Sequence, residues 1–218
     1  MLKGLIVFSF LLFIANCAFN GVDVSVWDGP NINYQTVKNS GINFVIIRAG
    51  YRGSVDKYFE LNYRNAKAVG LNVGAYWYSY ANSIDDSTRE ANAFLGALRG
   101  KQFEYPVFYD IEEKSIFAKG MEFTSGIAKN FCLIMESKKY YCGIYCSQYF
   151  LKTYFTHEVK HRFDIWVAQY NHKCTYDEPY TIWQRGEGRV PGMPESADLD
   201  VSYVDYPPVM KKHHLNGF

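Results

Sequence analysis

Short apolar runs rich in β-branched and aromatic residues alternate along this chain with longer segments of mixed polarity. The runs Val22–Trp27, Asn43–Tyr51, Val73–Tyr80 and Tyr105–Glu112 read as four strands, since such side chains suit a pleated, buried surface. The second of these is apolar almost throughout, as expected of a strand covered on both faces. Helices are predicted over Tyr34–Ser40, Tyr58–Val69, Asp85–Leu98 and Thr124–Lys139. Phe59, Tyr63 and Ala66 are spaced for one helix face, and Gly70 follows that segment. Asp85, Asp86 and Ser87 gather at the start of the third helix and Gly100 lies beyond its end, the usual capping chemistry. Four shorter strands follow at Cys142–Cys146, Asp164–Tyr170, Tyr180–Gln184 and Leu199–Val204, with connections too short for a full helix between every pair.

Regular βα alternation implies a parallel sheet, and about eight strands imply a closed or nearly closed barrel. No linker, composition shift or repeat divides the chain, so residues 18–218 are expected to form one domain. Residues 1–17 read as a secretory signal peptide: Lys3, the apolar run Leu5–Ile14, then small residues at Ala15 and Cys17. That run is too short for a membrane span, so no membrane association is expected after its removal.

Composition narrows the picture further. The 218 residues are 48% hydrophobic and 18% aromatic, enough for a sizeable core, and the aromatic surplus also suits a sugar-stacking surface. A formal charge of +1 without any Lys/Arg block argues against nucleic acid. In an oxidising compartment, the four remaining cysteines Cys132, Cys142, Cys146 and Cys174 suggest two disulfides, with three possible connectivities.

The candidate chemistry is acidic. Asp110 and Glu112 end the fourth strand two residues apart, so they share one face, about 7 Å apart along the backbone. Two nearby carboxyls raise each other's proton affinity, and a neutral acid beside an ionised one is what glycoside cleavage requires. Strand C-termini in such a barrel converge on one mouth, where Asp23 and the late Asp198 and Asp200 would join this pair. Asp56 and Asp164 are expected elsewhere, in a loop and at a strand's N-terminal end. The aromatic residues Tyr51, Trp77, Tyr78, Tyr80, Trp166, Tyr170 and Trp183 cluster toward strand ends, as sugar platforms or as core.

Other chemistries find less support. His157-Glu158-Val-Lys-His161 matches a zinc-protease pattern, but it lies in a short polar connection expected to be an exposed loop. There is no G-x-S-x-G and no phosphate loop. No metal and no cofactor is expected.

Asp23-Val-Ser25, Gly74-Ala-Tyr76, Pro106-Val-Phe-Tyr-Asp-Ile-Glu112, Trp166-Val-Ala-Gln-Tyr170, Trp183-Gln184 and Asp198-Leu-Asp200 occur in that order. Together, from about Gly21 to Tyr206, they resemble glycoside hydrolase family 25, the Chalaropsis-type lysozymes. The resemblance implies an α/β fold, an irregular TIM-like β/α barrel with about eight strands and fewer helices. It also implies hydrolysis of the β-1,4 bond between N-acetylmuramic acid and N-acetylglucosamine in bacterial peptidoglycan. Glu112 would be the general acid, Asp110 the nucleophile or the group that orients the substrate's N-acetyl arm, and Asp23 and Asp198 the rest of an acidic floor. Tyr51, Tyr76, Tyr78, Trp166 and Trp183 would contact sugar. The family usually has Asn where this chain has Asp200.

The expected protein is thus a monomeric lysozyme, secreted or delivered to a lysosome-like digestive vacuole. The competing readings are a catalytically inactive wall-binding barrel and a chitinase-like hydrolase. The longer D-x-x-D-x-D-x-E run of the latter is absent, Phe108 occupying its middle position.

Overall fold

The computed structural model describes residues 18–218. The expected signal peptide, residues 1–17, lies outside them. Nine strands run in chain order as β1 (Phe19–Val24), β2 (Phe44–Tyr51), β3 (Ser54–Val55), β4 (Asn72–Tyr78), β5 (Val107–Asp110), β6 (Cys142–Ser147), β7 (Asp164–Ala168), β8 (Ile182–Arg189) and β9 (Ser196–Ser202). Eight helices accompany them among the described residues: α1 (Tyr34–Asn39), α2 (Phe59–Ala68), α3 (Ile84–Leu98), α4 (Lys114–Phe117), α5 (Met121–Ser137), α6 (Gln148–Tyr154), α7 (His157–Arg162) and α8 (Tyr206–Lys212).

Eight strands close a ring in the order β1-β9-β8-β7-β6-β5-β4-β2, with β2 returning to β1 and the two-residue β3 hanging from the end of β2. Within the ring all neighbours are parallel except at β9, which runs antiparallel to both β8 and β1; β3 is antiparallel to β2. No helix separates β7 from β8 or β8 from β9, whereas two helices each follow β5 and β6. This is the irregular barrel that the resemblance implies.

The alternation of side chains on each strand divides the core in two. Val22 and Val24 of β1 and Val45, Ile47 and Ala49 of β2 face the helices and join the outer cluster. Phe44, Ile46, Tyr76, Phe108, Tyr145 and Trp166 face inward and fill the barrel. Two glycines make room for them. A Cβ at Gly21 would lie 2.2 Å from the Phe44 ring, and one at Gly143 would lie 2.6 Å from the Phe108 ring. The floor is closed by α8, which adds Tyr206 and Met210 to the inner cluster. Buried Asn216 secures the chain beyond it: its Nδ2 donates to the Tyr105 carbonyl at 2.8 Å, while its Oδ1 accepts from the Tyr141 amide at 2.7 Å.

Several local expectations change. The first strand stops at Val24, because Ser25 caps a 3-10 turn over Val26–Asp28 and Asp28 returns the hydrogen bond. Ser83, ahead of the acidic cluster, is the residue that caps α3. The His157–Arg162 stretch is a helix, begun by Thr156, and not a loop. The two expected disulfides are not formed: all four cysteines are free thiols. Cys132 on α5 and Cys142 on β6 bring their sulfurs to 3.0 Å, a thiol contact well outside the roughly 2.05 Å of a covalent bridge.

Candidate active site

The parallel strands deliver their C-terminal ends to one mouth, and β9 reaches it with its N-terminal half because it runs the other way. Asp198 is thereby paired with Asp23 across the β1–β9 ladder. The reversal of the last strand is what brings the late pair to the same rim. Asp110 closes β5 and is 2% exposed, Asp23 is 8% exposed and Asp200 1%. Asp198 is half-buried, and Glu112, just past β5, is exposed toward solvent.

Two carboxyl–carboxyl contacts organise the mouth. Asp110 lies against Glu112, and Asp23 against Asp200. Burial is the main reason that Asp110 is pushed well above the ordinary carboxyl range, with the charge of Glu112 next. Asp23 is likewise raised well above it, by burial first and then by Asp200 and Asp198. Glu112 and Asp198 shift upward chiefly because the cleft strips water from them. Asp200 is pushed to about 8, again mainly by burial.

The surrounding polar groups orient the acids. Tyr145 Oη donates to Gln184 Oε1 at 2.7 Å, and Gln184 Nε2 donates to Asp23 Oδ2 at 2.7 Å. Tyr170 Oη donates to Asp198 Oδ1 at 2.8 Å. Arg48 is the buried cation of the site, and its Nε holds Asp56 at 2.7 Å. Asp56 also accepts from the Val26 amide at 3.3 Å, fixing the turn that follows Asp23. Asp56, expected in a loop, is therefore a buried support of the mouth.

The candidate sugar-binding aromatics divide. Tyr51 and Tyr78 sit at the rim, with Tyr78 Oη donating to Glu113 at 3.0 Å. Tyr76 is buried below them. Trp166 is 1% exposed, its ring enclosed by Tyr76, Phe108 and Tyr145 and its Nε1 donating to Asp200 at 2.8 Å. Trp183 points outward into the helix-facing core and donates to the Gln169 carbonyl at 2.8 Å. These two tryptophans are buried supports, contrary to the expectation of sugar contact. The opposite surprise is Trp27, which the pattern assigned to a strand: it stands 85% exposed on the turn beside Asp23. Tyr145 and Gln184 were missed as functional candidates. Their signal was strand alternation, since Cys146 and Trp183 face outward and leave their neighbours facing in.

Asp164 lies at the opposite end of the barrel, as expected, and accepts from Tyr206 Oη at 2.5 Å. The histidines of the protease-like pattern stack on each other at 3.8 Å, and Glu158 is paired with Lys129 at 2.6 Å. Among the described residues no group of three or more His, Cys, Asp or Glu is arranged to hold a metal.

The sequence profile of Glycosyl hydrolases family 25 matches residues 22–193. The chain belongs to this family. It is a glycoside hydrolase by membership, and relatives agree with the assignment. Lysozyme M1 of Streptomyces globisporus is 37% identical over 78 residues, 34% of this chain and 25% of that protein. The uncharacterised YegX of Escherichia coli strain K12 is 28% identical over 200 residues, 86% of this chain and 70% of its own. Among solved structures, the CTP1L endolysin superposes with a TM-score of 0.78 at 27% identity, covering 89% of this chain and 70% of that one. The acid pairs of the mouth are therefore read in a family 25 barrel.

Proposed function

We propose that this family 25 chain is a lysozyme that cleaves the β-1,4 bond between N-acetylmuramic acid and N-acetylglucosamine in bacterial peptidoglycan. The observation that carries the reading is the Asp110–Glu112 carboxyl pair, one member buried and one open to the cleft. Glu112 is the general acid. Its raised proton affinity keeps it protonated in acid, and it gives that proton to the leaving glycosidic oxygen as the C1–O bond breaks. The two carboxyls titrate as a pair, and with the proton on Glu112 the ionised Asp110 stands behind it, either as the nucleophile or as the acceptor that turns the substrate's N-acetyl oxygen toward C1. Asp23 and Asp198 place negative charge where the ring becomes cationic. Water then adds at C1 and returns the proton to Glu112. Tyr51 and Tyr78 line the sugar path, and Trp27 extends it.

Residues 18–218 act as one catalytic domain, monomeric, exported by the leader and working in an acidic compartment such as a digestive vacuole. The upward shifts of the mouth acids favour acid operation, and no helix among the described residues is long and apolar enough to cross a membrane. The test is reducing-sugar release from purified peptidoglycan between pH 3 and 8, wild type beside Glu112→Gln. Wild type is expected to release sugar, most at acid pH, with a rate loss of about 10²–10⁴ in the variant. A Glu112→Gln protein as active as wild type would overturn the assignment, and release from chitin oligomers alone would overturn the substrate.

A further inference from the structure

The second carboxyl pair, Asp23 with Asp200, has more acid than donors. Asp200 Oδ1 accepts from the Trp166 indole at 2.8 Å, and its Oδ2 is buried without any hydrogen-bond donor. Asp23 Oδ2 accepts from Gln184 at 2.7 Å. Each carboxyl thus has one neutral donor, and the two are diagonal neighbours on one face of the β1–β9 ladder, where Asp23 pairs with Asp198 and Asp200 with Gly21. The groups packed around them add acid and hydroxyl but no bonded cation. From β9 comes Asp198, from β5 Asp110, from the turn after β1 Asp28, and from β4 and β6 Tyr76 and Tyr145. Arg48 on β2 is committed to Asp56, and Arg185 on β8 is exposed and only partly offsets the Asp200 charge. Two ionised carboxylates in contact inside a barrel are strongly disfavoured, and a proton between them supplies the one missing donor.

We propose that Asp23 and Asp200 share a single proton under working conditions, so that the pair carries one negative charge and Asp200 is a positioning residue that aims Asp23 at the substrate. Burial raises both carboxyls, Asp23 well above the ordinary range and Asp200 to about 8, which puts the loss of the pair's last proton on the alkaline side. An asparagine at this position would donate to Asp23 at every pH, through its amide. Asp200 donates only while the proton is present, so it makes the mouth pH-gated: in alkali the pair becomes a dianion that repels itself and disturbs Asp23. The catalytic half of this inference rests on the lysozyme reading; the shared proton does not.

The test uses the full mature chain and Asp200→Asn in two series. The first is thermal unfolding between pH 4 and 8. Asp200 binds its proton more tightly folded than unfolded, so its contribution is complete below an unfolded pKa of about 3.9 and is lost as pH rises toward the folded value. The melting temperature of Asp200→Asn should therefore rise relative to wild type across that range. The second is peptidoglycan hydrolysis. The variant-to-wild-type ratio of kcat/KM should climb about fivefold between pH 8 and pH 9, as the protonated fraction falls from about one half to one eleventh. A melting difference and an activity ratio both independent of pH would overturn the proposal, since a merely structural role moves neither. Should neither protein hydrolyse peptidoglycan, the function fails while the melting series still decides the proton. Should Asp200→Asn not fold, carbon NMR titration of wild-type carboxyls decides it: one of Asp23 and Asp200 is expected to remain protonated at pH 7, and both fully ionised below pH 5 would sink the idea.

Discussion

At the floor of the barrel Asp164 is surrounded by hydroxyls, whereas at the mouth Asp110 and Asp200 are surrounded by other acids. Tyr206 donates to Asp164 with the Tyr141 and Thr181 hydroxyls close by, and burial raises it only to about 6. Asp200 has the Trp166 indole and two acidic neighbours, and it reaches about 8. Both ends take carboxyls out of water; the partners decide how much proton affinity results. Donors compensate a buried charge and make it structural. Acids leave it uncompensated, so the mouth stores unfavourable charge in the one place where a substrate can use it. The floor is built for stability and the mouth against it.

The sharpest way to break that contrast is Asp110→Asn. Its kcat should fall by about 10²–10⁴, while the melting temperature at pH 7 holds or rises because a disfavoured buried acid has been removed. A variant that loses stability as well as rate would put Asp110 in the same class as Asp164. At the floor, Tyr206→Phe should do the reverse, costing about 1–2 kcal/mol in a denaturant titration with kcat retained. The pH dependence of wild-type stability sharpens the comparison further. Asp23, Asp110, Glu112, Asp198, Asp200 and Asp164 all bind protons more tightly when folded, so stability is greatest in acid and declines as pH rises from about 4. Asp164→Asn should flatten only the part of the decline between about pH 4 and 6, and Asp200→Asn the span from about 4 to 8. A wild-type melting temperature that rises from pH 4 to 8 would contradict the charge distribution at both ends. The smallest effect is expected of Trp27→Ala: a KM for wall fragments raised a few-fold, with stability changed by no more than about 0.5 kcal/mol, as for other exposed positions.

Much of this was legible in the sequence, for identifiable reasons. Strands such as Phe44–Tyr51 and Asn72–Tyr78 announce themselves by composition, whereas the expected strand ends at Asp110 and leaves Glu112 just beyond it, still beside Asp110. The order of motifs from Asp23-Val-Ser25 to Asp198-Leu-Asp200 did the rest. Less legible were features that depend on chain direction or on distant partners. Nothing local says that Ser196–Ser202 runs antiparallel, yet that reversal is what brings Asp198 to Asp23. The short helices Lys114–Phe117, Gln148–Tyr154 and His157–Arg162 carry too few turns for periodicity to separate them from loops. Trp166 and Trp183 looked like sugar platforms because a sequence shows that an aromatic lies near a strand end, but not which way it faces. The cysteines misled in a similar way: an even count says that pairing is possible, while the structure has Cys146 buried on β6 and Cys174 in a half-buried loop, both as thiols.

The stitching at Asn216 bears on how this protein would come apart under load. A degradation machine pulling from the C-terminal side meets Asn216 and α8 first, and freeing them withdraws Tyr206 and Met210 from the inside of the barrel. Unravelling therefore begins by opening the floor beneath the aromatic plug. Pulled from the other side, β1 must part from β2 and β9 together, and Asp23 leaves with it. One direction would empty the core before touching the acids, and the other would disarm the mouth at the first step.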